Sequence, residues 1–248
     1  MRIIISPAKK MVTDADSLPC RDMPLFLDKT QILLAELKKM SYEQLKKMWK
    51  CNDEIAQENA ERIENMRLDQ MLTPAVLAYQ GIQYKYMAPN VFDKSEIEYI
   101  NEHLRILSGF YGLLRPFDGV VPYRLEMQAK LKTEYASDLY GFWSDNIAKS
   151  LFSQSNCIIN LASKEYSSCI KKYAGENIQF ITITFAEETN GKLLEKATAC
   201  KMARGEMVRF MAEEKIINPN EIKKFNRQGY MFSPGHSNED NYVFIKKI

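Results

Sequence analysis

Ile178-Gln179-Phe180-Ile181-Thr182-Ile183-Thr184-Phe185 is the stretch on which the reading of this chain turns. Its β-branched and aromatic residues suit a pleated, half-buried surface, so the run reads as a strand. Asn190-Gly191 behind it is a hairpin signal, because the tight turns that join antiparallel strands need positive φ. The chain then returns from Lys192, and over residues 198–214 the period changes: Ala203, Met207, Phe210 and Met211 recur at helical spacing. Upstream, residues 157–162 are an apolar run of strand length that delivers the chain to Ser163, a helix cap, with Gly175 as the stop. Downstream, residues 229–232 and 241–247 read as a second hairpin, with Asn218-Pro219-Asn220-Glu221 capping a short helix before it.

Toward the N-terminus, residues 2–6 read as a short buried strand stopped by Pro7. A helix from about residue 24 carries Leu27, Leu33, Leu34, Leu37 and Met40. Ser41-Tyr42-Glu43-Gln44 is a capping box, and the helix it opens turns Leu45, Met48, Trp49, Ile55, Ala56 and Ile63 inward. Residues 76–79, ending at Gly81, are ambiguous: Thr73-Pro74 would open a helix well, but the run is short and a strand is the expectation. Ser95-Glu96-Ile97-Glu98 reads as a second capping box, opening a helix with Ile97, Ile100, Leu104 and Leu107 on one face and a stop at Ser108-Gly109. Helical spacing returns at Leu139, Phe142, Trp143, Ile147 and Leu151. Strands do not alternate cleanly with helices, which disfavours a doubly wound parallel sheet. The expected fold is α+β: one compact domain over residues 1–248, with a mixed or antiparallel sheet packed with helices.

The bulk numbers narrow the function. The 248 residues are within reach of a single large domain with a sizeable core. Only Ile3, Ile4 and Ile5 precede Pro7, too short an apolar run for a secretory signal, and no run approaches a membrane span. A soluble, cytoplasmic protein is expected. Cys20, Cys51, Cys157, Cys169 and Cys200 are odd in number and form no C-x-x-C pair; Cys157 and Cys169 read as small core hydrophobes in a reducing compartment. The two histidines, His103 and His236, have no second ligand at metal spacing and read as solvent-exposed. No P-loop, dinucleotide fingerprint or nucleophile elbow occurs. No cofactor and no stable metal site are expected.

With 34 basic against 32 acidic residues, net charge does not announce a nucleic-acid binder, so local clusters carry that argument. Residues 103–118 and 122–127 set Arg105, Arg115 and Arg124 among glycines, prolines and aromatics. Such arginines either recognise phosphate bidentately or pair internally with Glu102, Asp118 and Glu126. Residues 36–50 hold Lys38, Lys39, Lys46, Lys47 and Lys50 against Glu36 and Glu43; a short turn between helices flanked by lysines resembles a helix-hairpin-helix, and the same pattern equally describes a solvated amphipathic helix pair, since lysines are common on exposed helix faces. Residues 192–209 hold five basic residues against Glu195 and Glu206, with Lys201 and Arg204 on one helix face.

Ile5-Ser6-Pro7-Ala8-Lys9 is similar to the opening of the YaaA peroxide-stress family. The likeness continues through Leu107-Ser108-Gly109-Phe110-Tyr111-Gly112-Leu113-Leu114-Arg115-Pro116 and Pro122-Tyr123-Arg124-Leu125-Glu126-Met127. Leu139-Tyr140 with Phe142-Trp143, Asn160-Leu161-Ala162-Ser163 with Glu165-Tyr166, Lys201 with Ala203-Arg204-Gly205, and Gly229-Tyr230 complete it in family order. The resemblance implies a compact α+β fold with a basic cleft, binding to duplex or branched DNA through a helix-hairpin-helix, and a role in limiting iron-driven damage during peroxide stress. Carried over by motif, Lys9, Arg105, Arg115, Arg124, Lys164, Lys201 and Arg204 are expected at the cleft. The alternative is an enzyme acting on a nucleotide or nucleic acid, with Glu126 or Glu165 as acid or base and the arginines as phosphate clamps.

Overall fold

Three consecutive isoleucines, Ile3, Ile4 and Ile5, are fully buried in strand β1 (Arg2–Ile5), which fixes that strand in the interior of a sheet covered on both faces. The computed structural model describes residues 1–14, 18–189 and 191–246. Short strands β2 (Lys10–Met11) and β4 (Tyr79–Gln80) pair antiparallel, as do β3 (Thr73–Pro74) and β7 (Gly119–Val120). The main sheet adds β5 (Leu104–Ser108), β6 (Gly112–Leu114), β8 (Cys157–Asn160), β9 (Gln179–Thr189), β10 (Lys192–Leu194), β11 (Tyr230–Phe232) and β12 (Asn241–Lys246). Its order is β11-β12-β9-β8-β1-β5-β6, with β10 on β9. The sheet is mixed, as expected. Its centre, β12-β9-β8-β1-β5, is parallel throughout, and the antiparallel pairs lie at the periphery.

Ten α-helices surround it among the described residues: α1 (Leu27–Lys38), α2 (Tyr42–Trp49), α3 (Asp53–Asn65), α4 (Ala75–Ala78), α5 (Ile82–Met87), α6 (Lys94–His103), α7 (Leu139–Trp143), α8 (Asn146–Phe152), α9 (Lys164–Lys171) and α10 (Ala197–Glu213). The Ser41 capping box forms as read: Gln44 N donates to Ser41 Oγ at 3.3 Å and Gln44 Oε1 accepts from Ser41 N at 2.8 Å. α2 and α3 pack together across Lys50-Cys51-Asn52, with Lys50 left-handed at φ 48° and Asn52 capping α3. Thr189 pairs with Lys192 across the expected hairpin, although Asn190 lies outside the described residues. β11 and β12 pair as the closing hairpin, traced to Lys246 because Lys247 is also outside them.

Several local readings are corrected. Residues 75–78 form α4, not a strand: Ala75, Leu77 and Ala78 favour helix, and Pro74 supplies the entry. The box read at Ser95 belongs to Asp93, whose Oδ1 accepts from Glu96 N at 2.9 Å while Glu96 Oε2 accepts from Asp93 N at 2.8 Å. Leu104 and Leu107 leave that helix for β5, because residues 104–108 are all buried between β1 and β6 and strand pairing wins over helical period. The segment from Leu139 splits at Ser144 into α7 and α8. α9 ends at Lys171, short of Gly175. His103 is not exposed but buried at the end of α6, with Nδ1 3.0 Å from Met1 O and its ring against Tyr99; burial holds its pKa down.

Candidate functional site

Parallel strands gather their carboxyl ends on one side of a sheet, and the loops leaving those ends build the usual ligand crevice of such sheets. Here β1 exits into Ser6-Pro7-Ala8-Lys9, and β8 exits through Ser163 into α9 with Glu165 and Tyr166. The two exits are stitched together: Ser163 N donates to Ser6 Oγ at 2.8 Å, and Tyr84 OH donates to Ser6 O at 3.0 Å. β9 continues through β10 into α10, which brings Lys201 and Arg204. The resulting cleft, about 520 Å³, is lined by residues 6–10, 80–84, 123–126, Ser163, Glu165, Tyr166, Lys201 and Arg204.

Three glycines set its walls by close approach. A Cβ on Gly205 of α10 would stand 2.2 Å from Gln83 O, so only glycine lets α10 lie on α5. A Cβ on Gly109 would stand 2.6 Å from Leu125 O, which clears the path of residues 123–127. Gly81 meets Ala8 Cβ in the same way at 2.9 Å. The 123–127 segment is pinned from outside by Trp49 Nε1, which donates to Arg124 O at 2.6 Å. Behind it, Tyr123 OH lies 2.8 Å from Tyr79 OH and 2.6 Å from Ser108 Oγ, so the tyrosine hydroxyls are engaged and the rings are fixed.

The charges are held under tension. Lys9 Nζ is 3.1 Å from Glu126 Oε2, and Arg124 Nη2 is 3.6 Å from Glu126 Oε1, too long for a hydrogen bond. Five basic side chains, Lys9, Lys10, Arg124, Lys201 and Arg204, face two carboxylates, Glu126 and Glu165. Burial pushes the Arg204 guanidinium below its ordinary pKa. Burial also lifts the Glu165 carboxyl, and the Glu126 charge adds to that, against a donation from Gln128 N at 3.2 Å. Four buried side-chain atoms have no hydrogen-bond partner among the described residues: Gln83 Nε2, Arg124 Nε, Glu126 Oε1 and Arg204 Nε. All four residues line this one cleft. Orphaned buried polar groups are rare and costly, so their concentration here singles out this cleft as the candidate site.

A second groove, about 670 Å³, adjoins the cleft and shares Lys9 and Glu126 with it. Lys47, Lys50 and Lys130 line it, with Met40, Met48 and Trp49 as its apolar wall.

The structure brings together Lys9, Arg124, Lys201, Arg204, Glu126 and Glu165 at the cleft, and Lys47 and Lys50 at the groove. It places three expected cleft residues elsewhere. Arg105 is buried in β5, donating to Gln154 Oε1 at 2.8 Å and to the carbonyls of Asn101 and Leu104. Arg115 pairs with Asp118 and Asp22, each at 2.9 Å. Lys164 is exposed on α9 and is not part of the lining. Lys38 donates to Glu64 O, Lys39 pairs with Glu36 and Lys46 with Asp53, so these three are engaged on the outer helix surface. Of the internal pairs weighed for the arginines, those of Arg115 and Arg124 form and that of Arg105 with Glu102 does not. Sequence reasoning missed Gln83, Tyr84, Lys10 and Lys130; Gly81 beside Gln80 was the one local sign of a close backbone contact there. Among the described residues, no three His, Cys, Asp or Glu side chains gather as a metal group, and no helix is long and apolar enough to cross a membrane.

Residues 1–236 match a family model described as peroxide stress protein YaaA. The chain is 55% identical over 248 residues to a UPF0246 protein of Agathobacter rectalis, covering all of both chains. It is 53% identical over 246 residues to one of Lachnoclostridium phytofermentans, covering 99% of this chain and 96% of that one. With one of Desulfitobacterium hafniense it shares 52% over 248 residues, covering 100% and 99%.

Proposed function

This chain belongs to the peroxide stress protein YaaA family, and from that premise we propose that it is a cytoplasmic DNA-binding protein that limits iron-driven damage to duplex or branched DNA during peroxide stress. One observation carries the reading: basic side chains from three distant parts of the chain converge on a single cleft, and Lys47, Lys50 and Lys130 extend the positive surface along the adjoining groove. Exposed lysines at a groove position a phosphate backbone by charge without reading sequence. The α2–α3 turn stands at the edge of that groove through Lys50, which is where a helix-hairpin-helix would present its contacts. The test is a titration of labelled duplex and four-way junction by anisotropy between about 50 and 200 mM salt, where log K should fall linearly with log salt by about 0.9 for each phosphate contacted. No binding at the low end of that range would refute the proposal.

A second reading, turnover of a bound nucleotide, is favoured by Glu165. Its raised pKa suits a general acid, and it shares the cleft with phosphate-clamping arginines. Mass spectrometry of DNA and nucleotides after incubation, with and without divalent metal, separates the two.

A further inference from the structure

A surface that only tracks phosphates needs exposed cations; it has no use for donors sealed inside a cavity. The cleft has both. Lys9, Lys10 and Lys201 are exposed at its mouth, whereas Gln83 is 7% exposed and the Arg124 side chain 10%. Gln83 Nε2, Arg124 Nε and Arg204 Nε are unpartnered donors. Glu126 Oε1, 3.6 Å from Arg124 Nη2, accepts no hydrogen bond. An ionised carboxylate can only accept, so a phosphate oxygen, itself an acceptor, leaves Glu126 Oε1 without a bond. A group offering both donors and acceptors on one planar edge suits Gln83, Arg124 and Glu126 together, and a nucleobase edge is such a group. The cavity volume of about 520 Å³ falls in the range of small-ligand pockets, roughly 300–1,000 Å³. That space admits a single nucleotide and excludes a stacked duplex. Tyr84, Tyr123 and Tyr166 contribute aromatic lining, the surface on which unstacked bases are held.

We propose that the cleft receives one unstacked nucleotide, its base edge bonded by Gln83, Arg124 and Glu126 and its flanking phosphates held at the lysine-bearing mouth. This rests on the DNA-binding reading above. Extruding a base costs least where it is already unpaired, so the preferred substrate is DNA with an extrahelical nucleotide or a free strand.

The experiment compares three duplexes by anisotropy: fully paired, with one central extrahelical nucleotide, and with that same position abasic. The abasic duplex keeps every phosphate and removes only the base. Stacking and edge contacts together predict about tenfold or greater preference for the extrahelical base over the abasic site. Gln83→Leu, checked for a wild-type melting curve, should bring that ratio toward one. Equal affinity for the extrahelical and abasic duplexes, measured on the unmodified protein, overturns the proposal while leaving DNA binding intact. If none of the three duplexes binds at about 50 mM salt, the DNA reading falls, and calorimetry with the four nucleoside 5′-monophosphates decides the pocket alone. One-to-one binding lost in Gln83→Leu supports it; no heat with any of the four refutes it.

Discussion

Gly205→Ala is the substitution whose sign tests the packing that builds the cleft. In an exposed or loosely packed helix the change would help, because alanine is favoured over glycine by about 1 kcal/mol. Gly205 is buried where α10 crosses α5, and the added Cβ would sit 2.2 Å from Gln83 O, 2.9 Å from Met87 N and 3.0 Å from Tyr86 Cβ. The nearest two atoms are backbone, so no side-chain rotation relieves the contact. Restoring ordinary van der Waals distance requires the helices to separate by about 1 Å, in an interior too densely packed to absorb it. Overpacking of this kind costs roughly 1–3 kcal/mol and more where backbone must move. Set against the helical gain, a net loss of about 2 kcal/mol is expected. For a domain of this size that lowers the melting temperature by about 4–8 °C. The displaced Gln83 carbonyl carries its side chain and shifts the cleft floor relative to Lys201 and Arg204, so DNA affinity should drop as well. Thermal and urea denaturation measure the first effect. A Gly205→Ala protein as stable as the parent, or more stable, would refute the close helix contact and the cleft geometry derived from it.

Lys47→Ala with Lys50→Ala should reduce the slope of log K against log salt by about 1.8, two phosphates' worth, with the melting temperature little changed. Arg204→Ala should weaken binding to unrelated DNA sequences alike and lower the slope by about one. Arg115→Ala should leave that slope unchanged but cost about 3 kcal/mol in urea denaturation, because Asp118, 1% exposed, loses its only counter-charge at Oδ1 and keeps just the backbone N–H of residue 115. Glu165 carries the pH dependence: burial raises its folded pKa, so its ionised form is a cost that is relieved as pH falls through that pKa. The same protonation removes a negative charge from the cleft, so affinity for DNA should rise on going from neutral pH down through the folded pKa, and Glu165→Gln should flatten that rise and raise stability at neutral pH; an unaltered pH profile would show that DNA does not meet the Glu165 charge.

The sequence by itself determined what depends on neighbours in the chain. The Ser41 box, the strand runs read at 157–162 and 178–185, the helix carrying Lys201 and Arg204, and the hairpin at Gly191 all follow from local period, capping and turn chemistry, and the structure has each of them, the strands as Cys157–Asn160 and Gln179–Thr189. The family motifs likewise ran in order along the chain and matched over residues 1–236. Tertiary structure alone decided which strands became neighbours. β1 pairs with β8 and β5 across more than a hundred residues, and that parallel centre is what gathers Lys9, Arg124, Glu165 and Arg204 at one end of the sheet. It also separated arginines that look alike in sequence. Arg105 and Arg115 have partners that bury or neutralise them, while Arg124 and Arg204 keep a buried donor with none. That distinction is set by distances between segments remote in the chain, and periodicity, which records only a residue's own face, carries no trace of it.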